Sequence, residues 1–155
     1  MLDGNQNKGL PAFLVGMKDS NGLHSGLMAV QYSAAALASE NKVLAHPATV
    51  DTIPTSAGME DFVSMSPYAG LKARMILQNT QRVLAIELIC SAQALDLRGP
   101  SKPGKGTRAA YNKIREGVPM VREDRMLSRD IEALTKLVSD GGILQAVDAV
   151  IGPLQ

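Results

Sequence analysis

The chain has 155 residues, 45% of them apolar, and a net charge of +1. A domain of this length buries roughly 70% of the surface its unfolded form exposes, and the balanced charge excludes both a disordered chain and a polyanion binder acting through charge alone. Two Phe, three Tyr and no Trp leave Ala, Leu, Ile, Val and eight Met to fill the core, the palette of closely packed helices.

Residues 1–22 are rich in Gly and Asn, with Pro11 and KDSNG as turn signals. They predict an irregular N-terminal segment, 1–24, with a short apolar patch at AFLVGM. MLDGNQNKGLPAF has no signal-peptide apolar region, and no run approaches the roughly 20 apolar residues of a membrane span. The single cysteine, Cys90, excludes an internal disulfide. A cytoplasmic protein with no membrane partner is expected.

SGLMAVQYSAAALASENKVLA predicts a helix over about 25–45, with Ser20 or Ser25 as its cap and Pro47 enforcing its end. Residues 46–66 are turn-rich, holding Pro47, Pro54 and Gly58 just before Pro67. A structureless stretch of that length inside a compact domain is usually functional or disordered. The next helix is predicted over 67–98, with Ser66 as N-cap, Pro67 at the first helical position and Gly99-Pro100 as the stop. From Val83 to Leu95 it is apolar on every side except Glu87, Ser91 and Gln93, which predicts burial by several neighbours and, in part, by partner chains.

GPSKPGKG, 99–106, reads as a flexible basic linker. Short helices are predicted at about 107–117, 128–140 and 143–151, the second capped by Ser128 and stopped by Gly141-Gly142. The expected organisation is thus an irregular segment 1–24, two long helices over 25–98 joined by loop 46–66, a linker 99–106, and short helices over 107–155. The fold class is all-α.

The candidate chemistry is sparse. Glu60 and Asp61 sit in a glycine-bearing loop, where a carboxylate is either a solvated charge near a helix start or a group held in a pocket for proton transfer. His24 and His46 lie 22 residues apart at opposite ends of the predicted helix, so no metal site is expected. The basic run Lys102, Lys105, Arg108, Lys113 and Arg115 is largely matched by acids, nine Lys and Arg against seven Asp and Glu from Gly99 onward, so no nucleic-acid partner is expected. Met28 and Tyr32 share a face at i, i+4, as core packing or as a pocket wall. Cys90, in LAIELICSAQAL, is expected to be a buried thiol.

Three irregular strings carry a resemblance: SENKVLAHP, VDTIPTSA followed by EDFVSM, and LAIELICSAQALDLR. Together they resemble the C-terminal part of the histidine ammonia-lyase and aromatic amino acid lyase family, densely over about 10–98 and loosely beyond. The resemblance implies an all-helical long-helix bundle, oligomeric as a tetramer that self-associates through its long helices. It implies non-oxidative elimination of ammonia from an aromatic amino acid, in histidine catabolism or a related route. The family's electrophile, a methylideneimidazolone cyclised from Ala-Ser-Gly, is implied on an N-terminal portion or partner chain, because no Ala-Ser-Gly occurs here. By this match Glu60 is the catalytic, substrate-side acid of an active-site loop, and Met59, Met28 and Tyr32 line the substrate pocket. The isolated chain is expected to be inactive. Histidine-type members usually carry Asn-Gln before this Glu, where Gly58 and Met59 stand here. A more apolar substrate, a divergent member and relaxed constraint all fit that departure. The alternative to a lyase subunit is a non-catalytic helical self-association module derived from the family.

Overall fold

The computed structural model describes residues 1–16, 22–99 and 103–153. Among these residues five α-helices follow in chain order: α1 (Met28–Leu44), α2 (Ser66–Leu97), α3 (Lys105–Gly117), α4 (Ser128–Ser139) and α5 (Gly142–Ile151). Extended pairing among the described residues is confined to one antiparallel bridge between Thr55 and Glu60. The fold is all-α, as the apolar periodicity predicts.

The helix starts differ from those expected. Residues 25 and 26 lie outside α1, because Gly26 takes a left-handed φ of 57° and its amide is turned away from the helix. Ser20 lies outside the described residues. Ser66 is not the cap of α2: the Ala69 N–H donates to the Met65 carbonyl at 3.0 Å, which makes Met65 the residue that opens the helix. Likewise the Ile131 N–H donates to the Leu127 carbonyl, and Ser128 is already inside α4. Leu127, the residue that opens α4, is buried.

The stops follow the sequence more closely. Helix α1 ends at Leu44, three residues before Pro47, and α2 ends two residues before the left-handed Gly99. Pro100 and Lys102 lie outside the described residues. The expected linker is too long at its far end, since Lys105 and Gly106 belong to α3. A Cβ at Gly106 would stand 3.2 Å from Ile151 Cδ1 and 3.4 Å from Val147 Cγ1, so a helical glycine here lets α5 approach.

The chain divides into two compact units, Met1–Ala34 with Gln81–Gln155, and Ala35–Thr80. Each long helix therefore passes from one unit into the other. In the larger unit α3, α4 and α5 pack on one another. Its core joins Ala85, Ile86, Ile89, Cys90, Ala92 and Ala94 of α2 to Leu14, Leu27 and Val30 from the N-terminal side. Ile114, Val118, Val121, Leu127 and Leu134 complete it from the C-terminal side. The apolar half of α2 is thus covered in large part by this chain's own segments. Each fully buried aliphatic side chain there contributes about 1.5–3 kcal/mol.

Three polar groups tie segments of the larger unit together, the first of them inside the core. The buried Gln93 carboxamide donates to the carbonyls of Val121 and Leu14 and accepts the Val121 N–H. Asp96 accepts the Tyr111 hydroxyl at 2.5 Å and pairs with Arg115 at 2.6 Å. Asp124 accepts the amides of Ser25 and Gly26 at 2.8 and 2.9 Å, satisfying donors ahead of α1.

Candidate functional site

The smaller unit carries the loop between α1 and α2, and its shape follows from local chemistry. At its start the His46 N–H donates to the Val43 carbonyl, and the ammonium of Lys72 on α2 donates to the His46 carbonyl. The same ammonium lies 5.9 Å from the centre of the Tyr68 ring. Asn79 of α2 donates to Glu40 at 2.8 Å and Asn41 at 3.1 Å on α1. These bonds fix the two helical stems from which the loop rises.

Farther out the loop folds back as a hairpin held by threonines. The Val63 N–H donates to Thr52 Oγ1 at 2.8 Å. At the tip Thr55 and Glu60 exchange both backbone bonds, N–H to carbonyl, at 2.9 and 3.3 Å. Thr55 Oγ1 also donates to Glu60 Oε2 at 3.4 Å. The four residues between them turn the chain with Ser56, Ala57 and Gly58 all left-handed, at φ 53°, 55° and 87°. For the two non-glycine residues that conformation costs about 1–2 kcal/mol each, and such strain tends to sit at functional sites.

This geometry resolves half of the Gly58-Met59 departure. Gly58 occupies a left-handed position, and asparagine, which the resemblance gives there for histidine-type members, is the other residue type that visits that region readily. The exchange keeps the turn. Met59, at φ −71°, has no such backbone reason, and the residue is 87% exposed. There the change replaces a carboxamide with a thioether, removing hydrogen-bonding capacity beside Glu60.

The structure brings Glu60 and Met59 together on one turn, and Met28 and Tyr32 together on one face of the first turns of α1. Glu60 and Asp61 are exposed, as is Phe62 beyond them. Met28 is half-buried and Tyr32 is 70% exposed. Thr52, Thr55 and Lys72 were not singled out from the sequence. Their contacts join residues 5 to 26 apart, a spacing that no periodic signal marks. The described residues hold no group of three or more His, Cys, Asp or Glu arranged for a metal ion.

The residues present do not fit the electrophile that the resemblance implies. The chain's one Ser-Gly step, Ser25-Gly26, follows His24 rather than an alanine. Both amides of that step are hydrogen-bonded to the Asp124 carboxylate, including the Gly26 nitrogen that cyclisation would require.

Comparison with known proteins agrees with the fold. The sequence profile described as Aromatic amino acid lyase matches residues 1–116. The chain is 53% identical over 154 residues to the histidine ammonia-lyase of Gloeobacter violaceus, covering 99% of this chain and 29% of that one. It is 57% identical over 150 residues to the histidine ammonia-lyase of Symbiobacterium thermophilum, covering 97% of this chain and 29% of that one. Among solved structures, histidine ammonia-lyase from Trypanosoma cruzi superposes with a TM-score of 0.88 at 39% identity, covering 96% of this chain and 28% of that one. Tyrosine aminomutase from Streptomyces globisporus gives 0.90 at 35% identity, covering 96% and 28%.

The chain thus spans under a third of the length of these relatives and matches their C-terminal part. Identity of this degree does not favour the alternative of a non-catalytic module. The family uses a methylideneimidazolone group. With the helical fold, relatives above 50% identical and a profile match over residues 1–116, the chain belongs to the aromatic amino acid lyase family.

Proposed function

We propose that the chain supplies Glu60 to the active site of a histidine-ammonia-lyase-like enzyme, which eliminates ammonia from an aromatic amino acid. The electrophile and the groups that contact it belong to an N-terminal portion or partner outside this chain. The observation that carries this is Glu60 itself, displayed on a strained turn whose backbone is locked by Thr55 and whose side chains stand open to a partner. A carboxylate there accepts an imidazole N–H of a histidine-like substrate or moves a proton to and from it. Met59 lies beside that acid, and Met28 and Tyr32 of the larger unit are assigned to substrate contact on the resemblance alone. Met59 in the pocket favours a less polar contact than a carboxamide gives. The site is assembled in a cytoplasmic oligomer built through the long helices.

The test supplies the chain to an N-terminal portion of a histidine ammonia-lyase that carries Ala-Ser-Gly. Ammonia release is then measured with histidine, tyrosine and phenylalanine. The reading expects release from at least one of them and none from the chain by itself. Co-purification without release from any of the three contradicts it.

A further inference from the structure

Glu60 is exposed, and an exposed glutamate has three rotatable side-chain bonds that solvent leaves free. Work on a substrate needs a carboxylate held at one place, since misplacement by an ångström is costly. The structure shows one neighbour suited to that task. Thr55 meets Glu60 three times, through both backbone bonds and through Oγ1 to Oε2. Being β-branched, Thr55 has few side-chain rotamers, so its hydroxyl direction is set by its extended backbone, φ −131° and ψ 178°. The left-handed run Ser56–Gly58 brings the two residues opposite one another, and the Thr52–Val63 bond fixes the register beneath them.

We infer that Thr55 is a positioning residue, whose hydroxyl selects the Glu60 rotamer that the reaction uses. The inference rests on the reading of Glu60 as the substrate-side acid. Thr52 serves the backbone of the hairpin, whereas Thr55 acts on the carboxylate as well.

Two measurements separate the inference from the reading beneath it. In the chain by itself, Hα–Hβ three-bond couplings of Glu60 report its rotamer by NMR. Thr55→Val is expected to average them while amide exchange at positions 55 and 60 stays as in the wild type, and Thr55→Ser is expected to retain them. Couplings unchanged by Thr55→Val overturn the inference. In the enzyme completed by an N-terminal portion, Thr55→Val is expected to lower kcat about fivefold, with Thr55→Ser near wild type. No further loss is expected when Thr55→Val is added to Glu60→Gln. An equal loss in both backgrounds overturns the inference, because Thr55 then acts on the loop at large. Wild-type turnover in Glu60→Gln overturns the reading of Glu60 and the inference with it; that failure is recognised by couplings that still respond to Thr55→Val.

Discussion

Gln93 and Val121 form a closed two-way pair: the carboxamide donates to the Val121 carbonyl at 2.7 Å and accepts the Val121 N–H at 3.0 Å. A side chain thereby imitates the exchange that a neighbouring strand would make. Its second amide hydrogen reaches the Leu14 carbonyl at 3.1 Å, so one residue of α2 satisfies buried backbone on both sides of it. Gln93→Leu keeps the volume and removes all three bonds. The expected loss is about 3 kcal/mol of folding stability, since each stranded buried group costs about 1–3 kcal/mol. Urea denaturation checks it, and a midpoint equal to the wild type's contradicts it.

Gly26 carries a second constraint on the same region. Its φ is 57°, and a Cβ there would stand 2.7 Å from the Phe13 carbonyl oxygen. Gly26→Ala is expected to destabilise the larger unit by about 2 kcal/mol or more, from left-handed strain together with a backbone collision. Thermal unfolding against a control such as Gly104→Ala, which meets open space, measures the difference.

The Asp124 carboxyl lies below its ordinary value, first because it accepts the Ser25 N–H, then the Gly26 N–H, with His24 adding in the same direction. A depressed carboxyl contributes stability that is present above its unfolded value, about 3.9, and is lost as pH falls through the folded value. Asp124→Asn is therefore expected to lower stability at neutral pH and to flatten the fall on acidification below about pH 4. Unfolding followed from pH 2 to pH 7 checks the shape.

Tyr111 shifts the other way. Its hydroxyl donates to Asp96, which raises its pKa; burial and the Asp96 charge raise it further, against Arg115. Stability from this group is full below the ordinary tyrosine value near 10 and is lost as pH rises through the folded value. Tyr111→Phe is expected to cost about 1–2 kcal/mol at neutral pH and to leave a smaller decline in alkali. Equal alkaline declines in the two proteins contradict this account.

Burial pushes the Cys90 thiol up to about 11. At pH 8 only about one thiol in a thousand is then ionised in the folded chain. Alkylation by iodoacetamide is expected to follow global unfolding rather than native-state exposure. Modification faster than unfolding contradicts the burial.

Much of the fold was legible in the residues, because proline, glycine and apolar spacing act locally. Pro47, Gly99 and Gly141 follow helix ends where steric rules place them, whereas Gly142, expected as part of the same stop, already opens α5. Helix starts were less legible. Met65 and Leu127 open α2 and α4 in place of the adjacent serines, neither being a residue type whose side chain marks a helix start. The apolar band from Val83 to Leu95 announced burial without saying what covers it, and a large part of the cover proved to be residues of the same chain. At the candidate site the sequence resemblance pointed to Glu60, but Thr55 became visible only when the left-handed turn set it opposite. Gln93 stood out as a polar break in an apolar helix, though its two partner residues lie 28 and 79 positions away.

The central claim is that Glu60 acts in a reaction whose electrophile resides outside this chain. The most direct measurement is ammonia release from histidine, tyrosine and phenylalanine by an N-terminal portion carrying Ala-Ser-Gly alone, by the chain alone and by the two combined, the last two with wild-type Glu60 and with Glu60→Gln. The account predicts turnover in the wild-type combination only, with Glu60→Gln lower by about a hundredfold. Deamination by the purified chain without its complement, or a combination indifferent to Glu60→Gln, would contradict it.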